Sequence, residues 1–376
     1  MTYRIKNINS WNSWDPLKQV MLGNCFSPDF FDSIADTKLR DLLSQILEET
    51  QEDLDNIQAT LEQLGVDVVR IPENTVGLNN LGQTIENITE INSEGFPSPM
   101  IAPRDEFIAM GNRLLCTTHN EQMQSQNLID PSLLDYVCDG DPDQLGPFEL
   151  SPRFRKQNNF SEQEILMHSK QFWGPSVTRV GDTLVCDQSE IANLSNFLLA
   201  KYPHYKSSIV AIGGHNDASY CLPKPGLIIC SPWVEDAMYK TTFPNWDILK
   251  IKNPGSWDSE FEDWEKAKSI TRGRWWHPDA QHNPELVNFI DTWLNRWVGF
   301  SEETVFEINM LSIDENTILS LNYQQEVHDK LREHDINPIY CRFRHRNFWD
   351  SGLHCMTVDT VRQGTMKNYF GVKYAG

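Results

Sequence analysis

Val177-Thr178-Arg179-Val180-Gly181-Asp182-Thr183-Leu184-Val185-Cys186 reads as two short strands folded back on one another at Gly181-Asp182. A glycine-led two-residue turn between β-branched runs is a hairpin signal. The chain then enters a helical pattern over about 189–201 and a further strand-like run at 208–212. Hairpin, helix and strand make one unit.

Outward from this unit the same order recurs. Upstream, 19–22 is a short apolar strand closed by Gly23. A helix follows over about 37–64, with Leu39, Leu42, Leu43, Ile46, Leu47, Leu54, Ile57, Leu61 and Leu64 recurring at helical spacing. Gly65 is placed to stop it, and 66–71 is a strand ended by Pro72. Residues 106–110 and 113–117 form a hairpin at Gly111-Asn112. Downstream, 217–222 and 227–230 flank Pro223-Lys224-Pro225-Gly226, and 306–313 turns at Asp314-Glu315-Asn316 into 317–321. A helix carrying Val327 and Leu331 leads to a strand at 338–343, and 355–358 closes the series. About five units without mutual sequence identity predict radial repetition rather than one open sheet. The chain is expected to be a single α/β domain over 1–376 with two insertions. The first, about 119–168, is polar and acidic and expected to be loop with short helices. The second, about 254–299, holds tryptophans 257, 264, 275, 276, 293 and 297. It is expected to be a helical insertion packed on its own aromatics, with a lid over a cleft as the other reading.

Composition narrows the function. With 39% hydrophobic and 23% charged residues, 12 Trp and 18 Phe, a chain of 376 residues can bury a large core. A formal charge of -21 argues against nucleic acid and anionic membrane as partners and suits a cationic small molecule. Eight cysteines without a CxxC pair argue against a zinc site or disulfide framework and for a reducing compartment. No apolar run approaches the ~18 residues of a membrane span, so a soluble, cytoplasmic protein is expected. HExxH, GxSxG, GxGxxG and P-loop patterns are absent from the sequence. No metal or cofactor is therefore expected.

Three polar groups stand at the edges of the units: Pro103-Arg104-Asp105, Gly213-Gly214-His215-Asn216-Asp217, and the loop Arg346-Asn347-Phe348-Trp349-Asp350-Ser351-Gly352-Leu353-His354-Cys355. Cys355 reads either as a nucleophile set where a loop enters a strand or as a thiol packed in a core. In an extended chain His215 and Asp217 would point to the same side; the plainer alternative is a loop histidine and a turn aspartate. A guanidinium is a planar, forked cation that two carboxylates can hold with its carbon toward a thiolate. The cation in turn favours the thiolate, and a histidine can move the protons.

The chain resembles the amidinotransferase family, the glycine amidinotransferases in particular, within the wider guanidine-modifying superfamily. The resemblance rests on Trp14-Asp15-Pro16-Leu17-Lys18-Gln19-Val20-Met21-Leu22-Gly23, Pro103-Arg104-Asp105, Met110-Gly111-Asn112 and His215-Asn216-Asp217-Ala218-Ser219-Tyr220. It continues through Pro225-Gly226-Leu227-Ile228-Ile229, Ser231-Pro232, Leu311-Ser312-Ile313-Asp314-Glu315, Arg346-Asn347, His354-Cys355-Met356-Thr357 and Gly364-Thr365. It implies a five-bladed, pseudo-symmetric α/β propeller of ββαβ modules, the pentein fold, and a homodimer. It also implies Cys355 as the nucleophile, His215 as the general acid/base, and Asp105, Asp217 and Arg346 as substrate-binding residues. The activity implied is transfer of an amidino group from a guanidino donor, arginine being the expected one, to an amine through a covalent Cys355 amidino-thioether. A deiminase-like guanidine hydrolase and a catalytically impaired guanidino-ligand binding protein are the alternatives. The chain departs from the family at three places. No carboxylate occurs in Phe172-Trp173-Gly174-Pro175-Ser176, where the family carries its third triad member. Trp233 and Glu235 follow Ser231-Pro232 where the family has an arginine, and Ser301-Glu302-Glu303 stands in place of a serine pair.

Overall fold

The computed structural model describes residues 3–77, 96–116, 127–136, 149–150, 174–186, 191–192, 194–209, 216–232, 236–252, 280, 283–294, 297 and 306–370. β1 (Leu17–Leu22) and β2 (Asp67–Arg70) are parallel neighbours joined through the helix Thr37–Gln63. β3 (Phe107–Met110) and β4 (Arg113–Cys116) form a hairpin, and β5 (Leu134–Tyr136) lies parallel to β4. β6 (Glu149–Leu150) precedes the hairpin of β7 (Val177–Val180) and β8 (Thr183–Cys186). β9 (Ile191–Ala192) pairs with β6, and β10 (Lys206–Ile209) runs parallel to β8. The hairpin β11 (Tyr220–Lys224)–β12 (Leu227–Cys230) takes β13 (Asp247–Lys250) as its parallel third strand. β14 (Leu311–Asp314), β15 (Thr317–Ser320) and β16 (Asn337–Tyr340) repeat the arrangement. Last comes β17 (Thr357–Arg362), which pairs antiparallel with β1 and sets Thr357 opposite Leu22. The two ends of the chain thus share one sheet, and five three-stranded sheets result.

Inner strands such as β3, β8 and β12 are short and buried on both faces because each sheet is packed between two others. Ile108 and Met110 of β3 join Val177 and Leu184 in one cluster, while Phe107 and Ala109 turn the other way to Met21, Val69 and Val358. Ile228 and Cys230 face Val180 and Val185, whereas Leu227 and Ile229 face Met310 and Ile318. Leu311 and Leu319 meet Leu17, Val20 and Leu22, which closes the circuit. Period-two alternation sends successive side chains of these inner strands to opposite neighbours, whereas the outer strands β10, β13 and β16 keep exposed or half-buried polar residues such as Lys206, Asp247 and Asn337. The expected five-bladed α/β propeller is the fold observed.

The long helix begins at Asp36, whose carboxylate accepts from the backbone N–H of Lys38 and Leu39. It ends where Gly65 takes φ +79°, a left-handed conformation that glycine adopts without penalty. Its apolar stripe, Leu43, Ile46, Leu47, Leu54, Ile57 and Leu61, is buried against the first sheet.

Three expectations need correction. The stretch 119–168 is not all loop and short helix: its described part includes β5, the third strand of the second sheet. In the stretch 254–299 the helix Pro284–Trp293 does not pack only on its own aromatics. Leu286 and Ile290 enter the first core cluster, and Trp297 stacks on Trp349 and meets Phe26, Phe30 and Phe31. Four of that stretch's tryptophans, 257, 264, 275 and 276, lie outside the described residues. The strand expected at 217–222 instead starts with a helical turn, Asn216–Ser219, so Asp217 is not on extended backbone and the same-side argument for it fails. Among the described residues no helix is long and apolar enough to cross a membrane.

Candidate active site

Each sheet has a strand that begins a hairpin or, for β17, closes the first sheet. A tight turn precedes each of them. These are Pro103–Asp105 before β3, Gly174–Ser176 before β7, Asn216–Ser219 before β11, 306–309 before β14 and 353–356 before β17. The five turns touch in a ring. Arg104 N–H donates to the Cys355 carbonyl at 3.1 Å. Gly174 packs so closely on Arg104 that a Cβ there would lie 2.1 Å from the Arg104 carbonyl oxygen. The Asn216 amide donates to Thr178 Oγ1 at 3.2 Å and to the Val185 carbonyl at 3.0 Å, tying the Asn216–Ser219 turn to the β7–β8 hairpin. Asn309 donates to the Asp217 carbonyl at 3.3 Å and to Cys355 Sγ at 2.9 Å, completing the circuit.

The structure therefore brings Cys355, Asp217 and the Asp105 turn together. Cys355 Sγ donates to Asp217 Oδ2 at 3.3 Å. The same oxygen is 2.6 Å from His354 Nδ1. Burial pushes the Cys355 thiol well above its usual 9.0, the negative charges of Asp217 and Asp105 add to that, and the Asn309 amide opposes it. Burial also lowers His354, with the Arg104 cation in support and the Asp217 contact opposing. The sulfur is thus held as a neutral thiol among acidic groups.

Beneath it lies a buried ionic hub that sequence reasoning missed. Asp359, on β17, accepts from Arg104 Nη2 (2.8 Å), from Arg179 Nη2 at both oxygens (2.8 and 2.9 Å), from Arg362 Nε (2.7 Å) and from Ser10 Oγ (2.8 Å). Burial would raise its carboxyl, but Arg179, Arg362 and Arg104 outweigh this and hold it well below the usual range. Arg104 Nε also donates to the Thr357 carbonyl at 3.0 Å and to that of His354 at 3.4 Å. One guanidinium thereby grips the backbone on both sides of Cys355. Arg362 reaches the carbonyls of Asp15 and Ser312.

Other expected residues fall elsewhere. His215 lies outside the described residues, as do Trp173, Trp233 and Glu235. Arg346 starts a short helix, donates to the Leu321 carbonyl at 3.0 Å and lies 5.2 Å from the centre of the Phe306 ring. Asp182 sits at the opposite end of β7 from Ser176, bound to Lys206 at 2.8 Å and Asn368 at 3.1 Å. The Gly174–Ser176 turn itself holds only glycine, proline and serine. Asn309 and His354 are the side chains at the sulfur and its carboxylate that motif reading did not single out. Among the described residues no group of three or more His, Cys, Asp or Glu side chains could hold a metal ion.

No family model matches the chain. Mitochondrial glycine amidinotransferase of Xenopus laevis is 22% identical over 200 residues, covering 51% of this chain and 39% of that protein. The match thus spans well under half of that relative. An inosamine-phosphate amidinotransferase from Streptomyces griseus superposes with a TM-score of 0.59 at 15% identity, covering 96% of this chain and 99% of the other. SxtG, an amidinotransferase of the saxitoxin biosynthetic pathway from Microseira wollei, gives 0.61 at 18% identity over the same shares. A dimethylarginine dimethylaminohydrolase gives 0.50 at 11% identity, covering 91% of this chain and 99% of the other. The amidinotransferase resemblance holds in sequence, and the propeller fold is shared with amidinotransferases and with a dimethylarginine dimethylaminohydrolase.

Proposed function

We propose that this chain is an amidinotransferase that moves an amidino group from a guanidino donor, arginine in the first instance, to an amine acceptor through Cys355. The observation that carries the reading is the Cys355 sulfur held between the Asn309 amide and the Asp217 carboxylate, with the Asp105 charge bearing on it. Two carboxylates beside a neutral thiol suit a forked cation. When the guanidinium binds between Asp105 and Asp217, the charges that disfavour the thiolate are neutralised and the sulfur can ionise, its proton passing to His215. The thiolate attacks the guanidinium carbon and a C–S bond forms. His215 returns the proton to the departing nitrogen, and the C–N bond breaks. The acceptor amine then attacks the amidino-thioether, gives its proton to His215 and displaces the thiolate. No electron is gained or lost overall, and no metal or cofactor is needed.

Arg346 donates from Nη1 to the Leu321 carbonyl, and recognition of the cationic guanidinium falls to the carboxylates of Asp105 and Asp217. The setting proposed is a reducing cytoplasm, where a nucleophilic thiol survives, and the assembly a homodimer. The test is a matrix of guanidino donors against amine acceptors, read by mass spectrometry. Amidinated acceptor formed in equal amount with the donor-derived amine is expected. Citrulline or urea formed without any acceptor would replace the reading with a hydrolase. Saturable ligand binding without turnover would replace it with a binding protein.

A further inference from the structure

Asn309 is fully buried at the entrance of β14, and its side-chain amide meets Cys355 at two points. Oδ1 accepts from the Cys355 backbone N–H at 3.0 Å, and Nδ2 donates to Sγ at 2.9 Å. The orientation of the amide is determined by its surroundings: a backbone N–H needs an acceptor, and the Asp217 carbonyl, 3.3 Å from Nδ2, needs a donor. Its backbone carbonyl also accepts from Leu353 N–H at 3.1 Å, so the turn that bears the cysteine is fastened to this residue twice over. Gly352 is part of the same fit. A Cβ there would come within 2.4 Å of Asn309 Oδ1 and 2.5 Å of its Cβ and Cγ.

We propose that Asn309 is a positioning residue for the reaction, fixing the Cys355 backbone through Oδ1 and supporting the ionised sulfur through Nδ2, both when it attacks and when it leaves. A hydrogen bond from a neutral donor to an anion is stronger than one to the neutral group it comes from. Of the groups bearing on the sulfur, Asp217 and Asp105 act against the thiolate and Asn309 acts for it. The inference rests on Cys355 being the nucleophile of the proposed transfer, but its test uses no guanidino substrate and so succeeds or fails separately.

The full chain is alkylated with iodoacetamide across a pH series, and the rate at Cys355 is followed by peptide mass mapping. The wild type is compared with Asn309→Ala, which removes donor and acceptor, and Asn309→Asp, which keeps an oxygen for the Cys355 N–H but turns the donor into a negative charge. The pH midpoint is expected to rise in Asn309→Ala and further in Asn309→Asp. The shift should be about one unit or more, or about tenfold slower alkylation at neutral pH. Gly352→Ala, which displaces the amide without altering it, is expected to raise the midpoint too and serves if neither Asn309 variant folds. A wild-type midpoint in any of these variants that melts as a folded protein would overturn the proposal, because an Asn309 that merely fills space would leave the titration in place.

Discussion

At Cys355, burial and two carboxylates favour the neutral thiol while one amide favours the anion. Such a sulfur reacts poorly with whatever diffuses past and becomes nucleophilic when a cation screens Asp217 and Asp105. A raised thiol pKa means less thiolate at a given pH than an ordinary cysteine has. Inactivation by neutral iodoacetamide is expected to reach half its limiting rate above pH 9, whereas cationic 2-chloroacetamidine, which brings its own screening charge, should do so at lower pH. Pseudo-first-order inactivation rates over a pH series check this. Equal midpoints for the two reagents would mean that the carboxylates do not govern the sulfur. His354 adds a restraint of its own by holding Asp217 Oδ2 at 2.6 Å, so the carboxylate has a fixed position before any substrate arrives.

At the scale of elements, the hairpin–helix–strand rhythm was legible because its signals are local. Gly181-Asp182, Gly111-Asn112 and Pro225-Gly226 each carry a left-handed glycine at the turn, and each turn is where the sequence places it. The long helix was legible for the same reason, from leucine spacing and a terminal glycine. The short turns that lead into the strands were not. Asn216–Ser219 has no period to read in four residues, and its neighbours are β-formers, so the reading ran the strand back through Asp217. The same limit hid Asn309: a lone asparagine between apolar residues has no sequence signal until Gly352 and Cys355 are folded against it. Resemblance named Cys355, Asp105 and Asp217, but only their common ring of turns explains why residues so far apart along the chain meet.

At the scale of the whole molecule, the ring is closed twice, once by β1 pairing with β17 and once by the buried hub on Asp359. The hub draws Arg104, Arg179 and Arg362 from the second, third and first sheets, and Arg362 extends it to the Ser312 carbonyl of the fifth. Three guanidiniums crowd one carboxylate, so removing that charge leaves buried cations without their counter-ion. Asp359→Asn is expected to cost about 3–5 kcal/mol of stability, the scale for breaking a buried ion pair from one side. It should also loosen Arg104, and with it the backbone on both sides of Cys355. Urea unfolding monitored by tryptophan fluorescence measures the first effect. A loss below about 1 kcal/mol, as for an exposed pair, would show that the hub does not hold the sheets together. None of this was legible in the sequence, where Asp359 sits in an ordinary strand and the three arginines lie far apart along the chain.

The central claim is a covalent one, and the mass of the intact protein tests it most directly. After brief incubation with arginine in the absence of an acceptor, followed by acid quench, the wild type should gain the mass of one amidino group, mapped to the Cys355 peptide, and Cys355→Ala should gain nothing. Amidino transfer by Cys355→Ala at the wild-type rate, with no adduct on the wild type, would contradict the account.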